Sequence, residues 1–378
     1  MKLTFRIVVG KNFGSQAVTW RCWDRESVFL TQSTMECPLE ELKDLQCLKG
    51  FDIPIILVFV FCSKNPKIFE VTSLLRSLSI FSTRTFHAIG FVDSEAREYL
   101  EKHLPRLLNV GTYELRDVKF PQDQVNKSIH HKPCAALRLF LPDLLPEYDS
   151  VIYVDTDIIF LAPLEELWVQ FETMSPWSFI GATKELEDFE GYSHYRKPNT
   201  PFPFYGPTGI NTGVLLMNLT RMRSLGPAWS SEISSIYETF KGQFTLGDQD
   251  ILNIYFHRHP HNITIIPCRF NYRVDHCLLR KACIPSKNEC WHLNLCESAE
   301  REGVAVIHGA RGAFHDVDET PFTAAVDWMW NLEERESDKR AFVQDWARKL
   351  HAVKGSACGH VFHIFLKAFP PSWSLLNY

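Results

Sequence analysis

Two aspartates, Asp155 and Asp157, stand one residue apart at the end of the apolar run Val151-Ile152-Tyr153-Val154, and Ile158, Ile159 and Phe160 follow them. Side chains alternate across a strand, so both carboxylates face one side, and a slight bend at the strand end lets both reach one ion. Two buried carboxylates this close repel unless a cation lies between them. Oxygen ligands suit a hard divalent ion such as Mg²⁺ or Mn²⁺, which keeps open positions for phosphate oxygens. A solvated turn after a strand would also use Asp. Here the apolar residues 158–160 continue the burial where such a turn becomes polar. Thr156, between the two carboxylates, is grouped with them as a cofactor-binding residue.

Other residues offer chemistry to the same centre. The apolar run Val304-Ala305-Val306-Ile307 ends in His308-Gly309-Ala310-Arg311-Gly312. A His at a strand end can add a nitrogen ligand to the metal, and Arg311 a cation to a phosphate. Gly309 and Gly312 would let backbone approach that phosphate closely. Arg138 lies among apolar neighbours and needs either an anionic partner, an aspartate or a nucleotide phosphate, or a route to solvent for its head. Asn211, between Gly209 and Gly213, carries an amide that can donate and accept on a sugar hydroxyl, although a turn before a buried strand reads the same way. Gly247-Asp248-Gln249-Asp250 opens an apolar helical run, where Asp248 or Asp250 could simply cap the helix.

These residues need a scaffold, and the flanking pattern supplies one. Residues 55–61 form a continuous β-rich run, as expected of a strand buried on both faces. Ile68, Val71, Leu75 and Leu78 recur at helical spacing, and residues 85–92 form a second strand. Asp93 or Ser94 can cap a next helix through Ala96, Leu100 and Leu104 that stops near Pro105. This β-α-β-α order predicts an α/β fold with a right-handed crossover and an open, mostly parallel twisted sheet flanked by helices. Ligands bind such sheets at the carboxyl ends of the strands, where Asp93 and Asp155 both fall. Residues 132–142 fit a helix packed on the sheet, and 183–207, polar, aromatic and proline-rich, suit a mobile loop over a cleft. Thr320-Pro321 starts a helix through Phe322, Ala325, Val326 and Met329. The expected organisation is an N-terminal segment of unknown role (1–51), a catalytic domain (52–333) and a tail of unknown role (334–378).

Composition narrows the classes. The chain has 378 residues and a formal net charge of -5, which argues against nucleic acid or an anionic membrane surface as the main partner. No G-x-G-x-x-G and no Walker loop accompanies the strands, which argues against a dinucleotide or P-loop enzyme, and phosphate would be held through metal. Among 11 cysteines, Cys268, Cys277, Cys283, Cys290 and Cys296 cluster without the close spacing of a zinc site, which points to disulfides in an oxidising compartment. Sequons at Asn126, Asn218 and Asn262 agree. Residues 1–10 are too short and too quickly polar for a signal peptide or anchor, so the natural start is expected to lie outside this sequence.

In order, residues 132–142, 151–168, 205–223, 247–253, 266–277 and 307–316 resemble retaining glycosyltransferases of family 8, and among them the glucoside xylosyltransferases. The likeness covers roughly 52–330. It implies a GT-A fold (a Rossmann-like nucleotide-sugar domain), Mn²⁺ or Mg²⁺ on Asp155, Asp157 and His308, and a UDP-sugar donor. Arg138 falls where the family has a basic residue near the donor, and Asn211, Asp248 and Gln249 match positions that hold the donor sugar and line the reaction centre. The subfamily likeness implies UDP-xylose as donor and α1,3 transfer to O-linked glucose on EGF-like repeats, such as those of Notch. It also implies a type II membrane protein of the Golgi or endoplasmic reticulum, anchored through an N-terminal segment this sequence lacks. Two departures stand out: Arg311 and His315 occupy the loop where many members have a diphosphate-binding Lys, and 278–294 looks longer than the subfamily's. Two rivals follow from the residues: an aspartyl-phosphate phosphohydrolase, which places its Asp-X-Asp near the domain start, and a carbohydrate-binding protein of the same fold without turnover.

Overall fold

The computed structural model describes residues 4–7, 20–23, 54–62, 68–107, 111–120, 133–187, 194–197, 199–279, 281–284, 289–316, 318–332, 339–356 and 358–370. The chain divides into two compact units, 1–53 and 54–378. In the first, β1 (Thr4–Ile7) pairs antiparallel with β2 (Trp20–Trp23). The sequon at Asn126 lies outside the described residues.

The second unit is built on a sheet. Its strands in chain order are β3 (Ile55–Phe61), β4 (Phe86–Val92), β5 (Thr112–Asp117), β6 (Ser150–Val154), β8 (Ile180–Lys184), β9 (Ile210–Asn218) and β10 (Ile263–Ile265), arranged β10-β8-β9-β6-β3-β4-β5. Only β9 runs against its neighbours, β6 and β8; the other pairings are parallel. The expected open, mostly parallel sheet is therefore present. Alternation divides the buried strand residues between two cores. Ile56, Val58, Val151 and Tyr153 face the helices Pro227–Phe240 and Asp248–Arg258, while Leu57, Phe59, Ile152 and Val154 face Ile68–Phe81 and Ser94–Leu107. The latter helix continues through Pro105 to Leu107, although the proline gives the Glu101 carbonyl no helical partner, and ends two residues later.

The strand that carries the aspartates does not continue straight. After β6 the chain bends through residues 155–157 and resumes as β7 (Ile158–Phe160), which leaves the main sheet and pairs antiparallel with β13 (Val306–His308). The hairpin β11 (Lys281–Ile284) and β12 (Glu289–His292) lies between β10 and β13 and sets Cys283 opposite Cys290 in register. Around β7 and β13 gathers a third core, which takes in Phe322, Trp328 and Met329.

The segment 334–378, expected as a tail, contributes to this third core. Phe342, Trp346 and Leu350 of the helix Lys339–Ala352 are buried in it, as are Ile364 and Phe365. Trp346 stacks on Trp328 with ring centroids 5.0 Å apart, and Cys358 forms a disulfide with Cys277. The apolar run Val361 to Leu366, which carries no motif, is thus explained by packing. Two further disulfides, Cys62–Cys134 and Cys268–Cys296, join elements next to the site described below.

Candidate active site

The bend after β6 and the break into β7 aim two carboxylates at one point. The Asp155 amide donates to the Gly213 carbonyl (2.8 Å), fixing the end of β6 to β9. Two residues on, the Asp157 carbonyl accepts from the Gly309 amide (2.7 Å), fixing the start of β7 to the end of β13. In that register His308 is the partner of Ile158, so its ring lies beside Asp157, with Nε2 3.4 Å from Oδ1. One ligand atom from each of Asp155, Asp157 and His308 falls within 4.8 Å of the others. Two oxygens and one imidazole nitrogen, with His308 4% exposed and the carboxylates turned outwards, suit a divalent cation that leaves positions for phosphate oxygens. Gly213 makes room for the ring: a Cβ there would lie 2.2 Å from His308 Cε1.

Arg138 is 3% exposed and finds anionic partners, not solvent. Its Nη2 is 2.8 Å from Asp155 Oδ1 and its Nε 2.8 Å from Asp248 Oδ2, while its guanidinium lies over the Tyr153 ring, 4.4 Å from the centroid. Burial alone would lower its pKa, but Asp155 and Asp248 outweigh that and hold it more firmly protonated than usual. The same burial raises the Tyr153 phenol well above its ordinary value, so it donates to Asp155 Oδ1 as a neutral group (3.1 Å).

The centre opens into a cavity of about 580 Å³. Asp155, Thr156, Asp157, His308, Arg138, Asn211, Asp248, Gln249 and Arg311 line it, which brings most of the expected site residues together. Gly309 and Gly312 are not among the lining residues. Gly309 packs against Phe314, where a Cβ would come within 2.5 Å, and Gly312 takes φ 76° beside Arg311 at φ 62°, so the loop turns through two left-handed residues. Asp93 does not line the cavity either. Its Oδ1 accepts from the Ala96 amide (2.9 Å), the capping role the sequence also allowed. His315 turns away, with Nε2 2.6 Å from the buried Glu70, so Arg311 is the cation its loop presents to the cavity.

Asp250 proves to be structural: its carboxylate accepts from the Thr245 and Leu246 amides and from the Tyr195 hydroxyl. That bond also corrects the reading of 183–207 as a mobile loop. Thr183 and Lys184 complete β8, and Tyr195 is 1% exposed. Tyr195 and Phe202 are buried anchors, while residues 188–193 and 198 lie outside the described residues.

Two acids that sequence reasoning missed occupy the cavity wall. Glu185, just past β8, accepts from Asn211 Nδ2 (2.9 Å) and Gln249 Nε2 (3.2 Å). Asp275 lies 3.3 Å from Arg311 Nε, and Glu185 Oε1 3.7 Å from Arg311 Nη2. Burial pushes the Asp275 carboxyl up, and Arg311 only partly opposes it. The available signal was a Glu directly after a buried strand, at the same carboxyl edge as Asp155.

A mostly parallel sheet whose strand ends carry an Asp-X-Asp turn, an imidazole and a lined cavity is the architecture of a GT-A glycosyltransferase. Comparison with known proteins gives the family: the profile of Glycosyl transferase family 8 matches residues 66–289, and the chain belongs to that family. Glucoside xylosyltransferase 1 of Mus musculus is 31% identical over 331 residues, 84% of this chain and 77% of that protein. Glucoside xylosyltransferase 2 of Mus musculus is 31% identical over 331 residues, 83% of this chain and 70% of that protein. Among solved structures, the apo form of mouse xyloside xylosyltransferase 1 superposes with a TM-score of 0.50 at 19% identity, over 68% of this chain and 98% of that one, a likeness of fold.

Proposed function

We propose that the enzyme transfers xylose from UDP-xylose, with retention, in α1,3 linkage to an O-linked glucose on EGF-like repeats such as those of Notch. The observation that carries the reading is that the Asp155, Asp157 and His308 cluster shares one cavity with the polar side chains of Asn211, Gln249 and Glu185. That pairing suits a molecule with a diphosphate at one end and sugar hydroxyls at the other. The relatives named glucoside xylosyltransferase support the donor and acceptor.

Asp155, Asp157 and His308 would hold Mn²⁺ or Mg²⁺, which supplies positive charge to the diphosphate as the bond to the sugar breaks. Arg311, half-exposed at the same edge, adds a second cation to the leaving group. Asn211 and Gln249, both turned by Glu185, offer amides to the sugar hydroxyls. Asp248 faces Arg138 at ion-pair distance and is 2% exposed, so its charge is already engaged. That favours front-face attack, with the leaving phosphate taking the acceptor's proton, over a covalent intermediate on Asp248. We assign the protein to the lumen of the secretory pathway, in the Golgi or endoplasmic reticulum. Three disulfides favour that compartment, and no helix among the described residues is long and apolar enough to cross a membrane.

The deciding experiment incubates the purified protein and Mn²⁺ with a panel of UDP-sugars, with and without an O-glucosylated repeat, and reads UDP release and acceptor mass. Release from UDP-xylose that requires the acceptor and is lost in Asp157→Ala is the expected result. Release from another UDP-sugar would discard the xylose assignment, and binding without release would favour a non-catalytic carbohydrate-binding protein.

A further inference from the structure

A chain of buried amides runs behind the cation cluster, and its direction is fixed by a backbone group. The Gly213 amide can only donate, and it donates to the Asn211 side chain at 3.0 Å, so the Asn211 atom it meets is Oδ1. The same oxygen accepts from Asn271 Nδ2 at 2.9 Å. Asn271 therefore presents its own Oδ1 on its other side, where it lies 2.8 Å from His308 Nδ1. An amide oxygen cannot donate, so Nδ1 must carry the proton. In the neutral ring Nε2 then holds the lone pair, on the side that faces Asp157.

Nothing in this chain is loose. Asn271 is fully buried and also donates to Thr183 Oγ1 (3.0 Å). It closes the short helical turn Cys268–Asn271, which the Cys268–Cys296 disulfide ties down. The next residue, Tyr272, bonds to β13 on both sides: its amide donates to Val306 and its carbonyl accepts from His308. A side chain at 271 thus has a fixed distance to the imidazole.

We propose that Asn271 is a positioning residue for the cation, holding His308 as the Nδ1–H tautomer with Nε2 bare towards Asp155 and Asp157. The inference rests on reading those three residues as the cation site. Imidazole ligands generally donate their second N–H to an oxygen, and removing that oxygen typically weakens metal binding by about 10- to 100-fold. Through Asn211 the same chain ends on Glu185, so the ligand and the polar wall of the cavity are set by one hydrogen-bonded unit.

The test uses the full chain, first without metal and ¹⁵N-labelled in histidine. At a pH above the ordinary imidazole range, long-range ¹⁵N–¹H spectra, with His308 assigned by its absence in His308→Gln, are expected to show a protonated Nδ1 and an unprotonated Nε2. The reverse tautomer overturns the proposal. Mn²⁺ affinity, read from the electron paramagnetic resonance signal of unbound Mn²⁺, is expected to fall about 10- to 100-fold in Asn271→Leu. It should be largely kept in Asn271→Asp, which retains an oxygen for Nδ1–H. Unchanged affinity in a folded Asn271→Leu overturns the proposal. If that variant does not fold, the tautomer and the Asp variant decide, and an Asp variant as weak as His308→Gln counts against. A wild-type protein that binds no Mn²⁺ sinks the cation reading and this inference with it, whereas normal wild-type binding with indifferent variants sinks this inference alone.

Discussion

Arg138 and Asp248 meet at 2.8 Å with both side chains almost fully buried, and the same guanidinium reaches Asp155 at the cation cluster. Three charges thus lie in line, negative, positive, negative, with Arg138 and Asp248 buried and Asp155 partly open to the cavity. Removing the middle one leaves two carboxylates without their counter-charge, and breaking a buried pair costs about 3–5 kcal/mol. Arg138→Ala is therefore expected to lower the melting temperature by many degrees. Arg138→Lys should fold better but cannot reach both acids in the planar geometry of the guanidinium, and its transfer rate should drop with little change in fold. Differential scanning fluorimetry and UDP-release assays on both variants check this. Wild-type melting in Arg138→Ala would refute the bridging role.

Gly213 is predicted to tolerate no side chain. A methyl group there would lie against the His308 ring at less than contact distance, and the ring is the movable party because Gly213 is tied to Asp155 and Asn211 through its backbone. Gly213→Ala should keep the circular dichroism of the wild type and lose Mn²⁺ binding and turnover together. Retention of normal Mn²⁺ affinity would contradict it.

Metal removal gives a further check. With the cation chelated, the Asp155, Asp157 and His308 ligand atoms, within 4.8 Å of one another, lose the charge they share, and turnover should vanish and return on adding Mn²⁺. Activity that survives exhaustive chelation would refute a role for the cluster.

His276 predicts a pH dependence of stability. Burial pushes its imidazole well below the usual value, and Arg273 adds to the effect, so it stays neutral when folded. The unfolded chain binds a proton there below about pH 6.5. The folded state binds one proton fewer in that window, so stability falls as pH falls, by about 1.4 kcal/mol per pH unit for this group. His276 Nδ1 accepts from the Arg273 amide (2.9 Å), a role the side-chain oxygen of Asn can take. His276→Asn should therefore show a shallower loss of melting temperature between neutral and mildly acidic pH than the wild type. Parallel profiles would exclude this residue as the cause.

The Cys277–Cys358 bridge closes a separation of 81 residues and fastens the C-terminal segment to the third core. Loop entropy alone gives it on the order of 4 kcal/mol. Cys358→Ser should lower the melting temperature and speed proteolysis within 339–370, with the cation cluster still able to bind Mn²⁺. Proteolysis as slow as the wild type's would argue against the tether.

What the sequence made legible follows from how each signal is written. Asp155 and Asp157 stood out because an apolar run is interrupted by two charges at strand spacing, a local pattern. His308 was legible for the same reason, as a polar residue closing a buried strand. Arg138 could be marked as needing a partner, but Asp248 lies 110 positions away and no spacing connects them. Glu185 offered only its place after a buried strand, and Asn271 offered nothing, since it is one polar residue beside a turn. Their meaning comes from the β8, β9 and β13 ends meeting in space. The C-terminal apolar run had no partner in sequence because the surface it covers is formed by β7, β13 and the helix Pro321–Trp330.

The antiparallel pairing of β7 with β13 joins positions about 150 residues apart, and the cluster exists only through that pairing. A chain still emerging from the ribosome carries both carboxylates long before it carries the imidazole. The centre therefore reports completion: a product cut short between residues 266 and 307 carries every strand of the main sheet and the acidic turn, yet lacks the nitrogen that closes the cluster. The imidazole is the last of the three ligands to be synthesised, and the core behind it is completed only by residues that follow it.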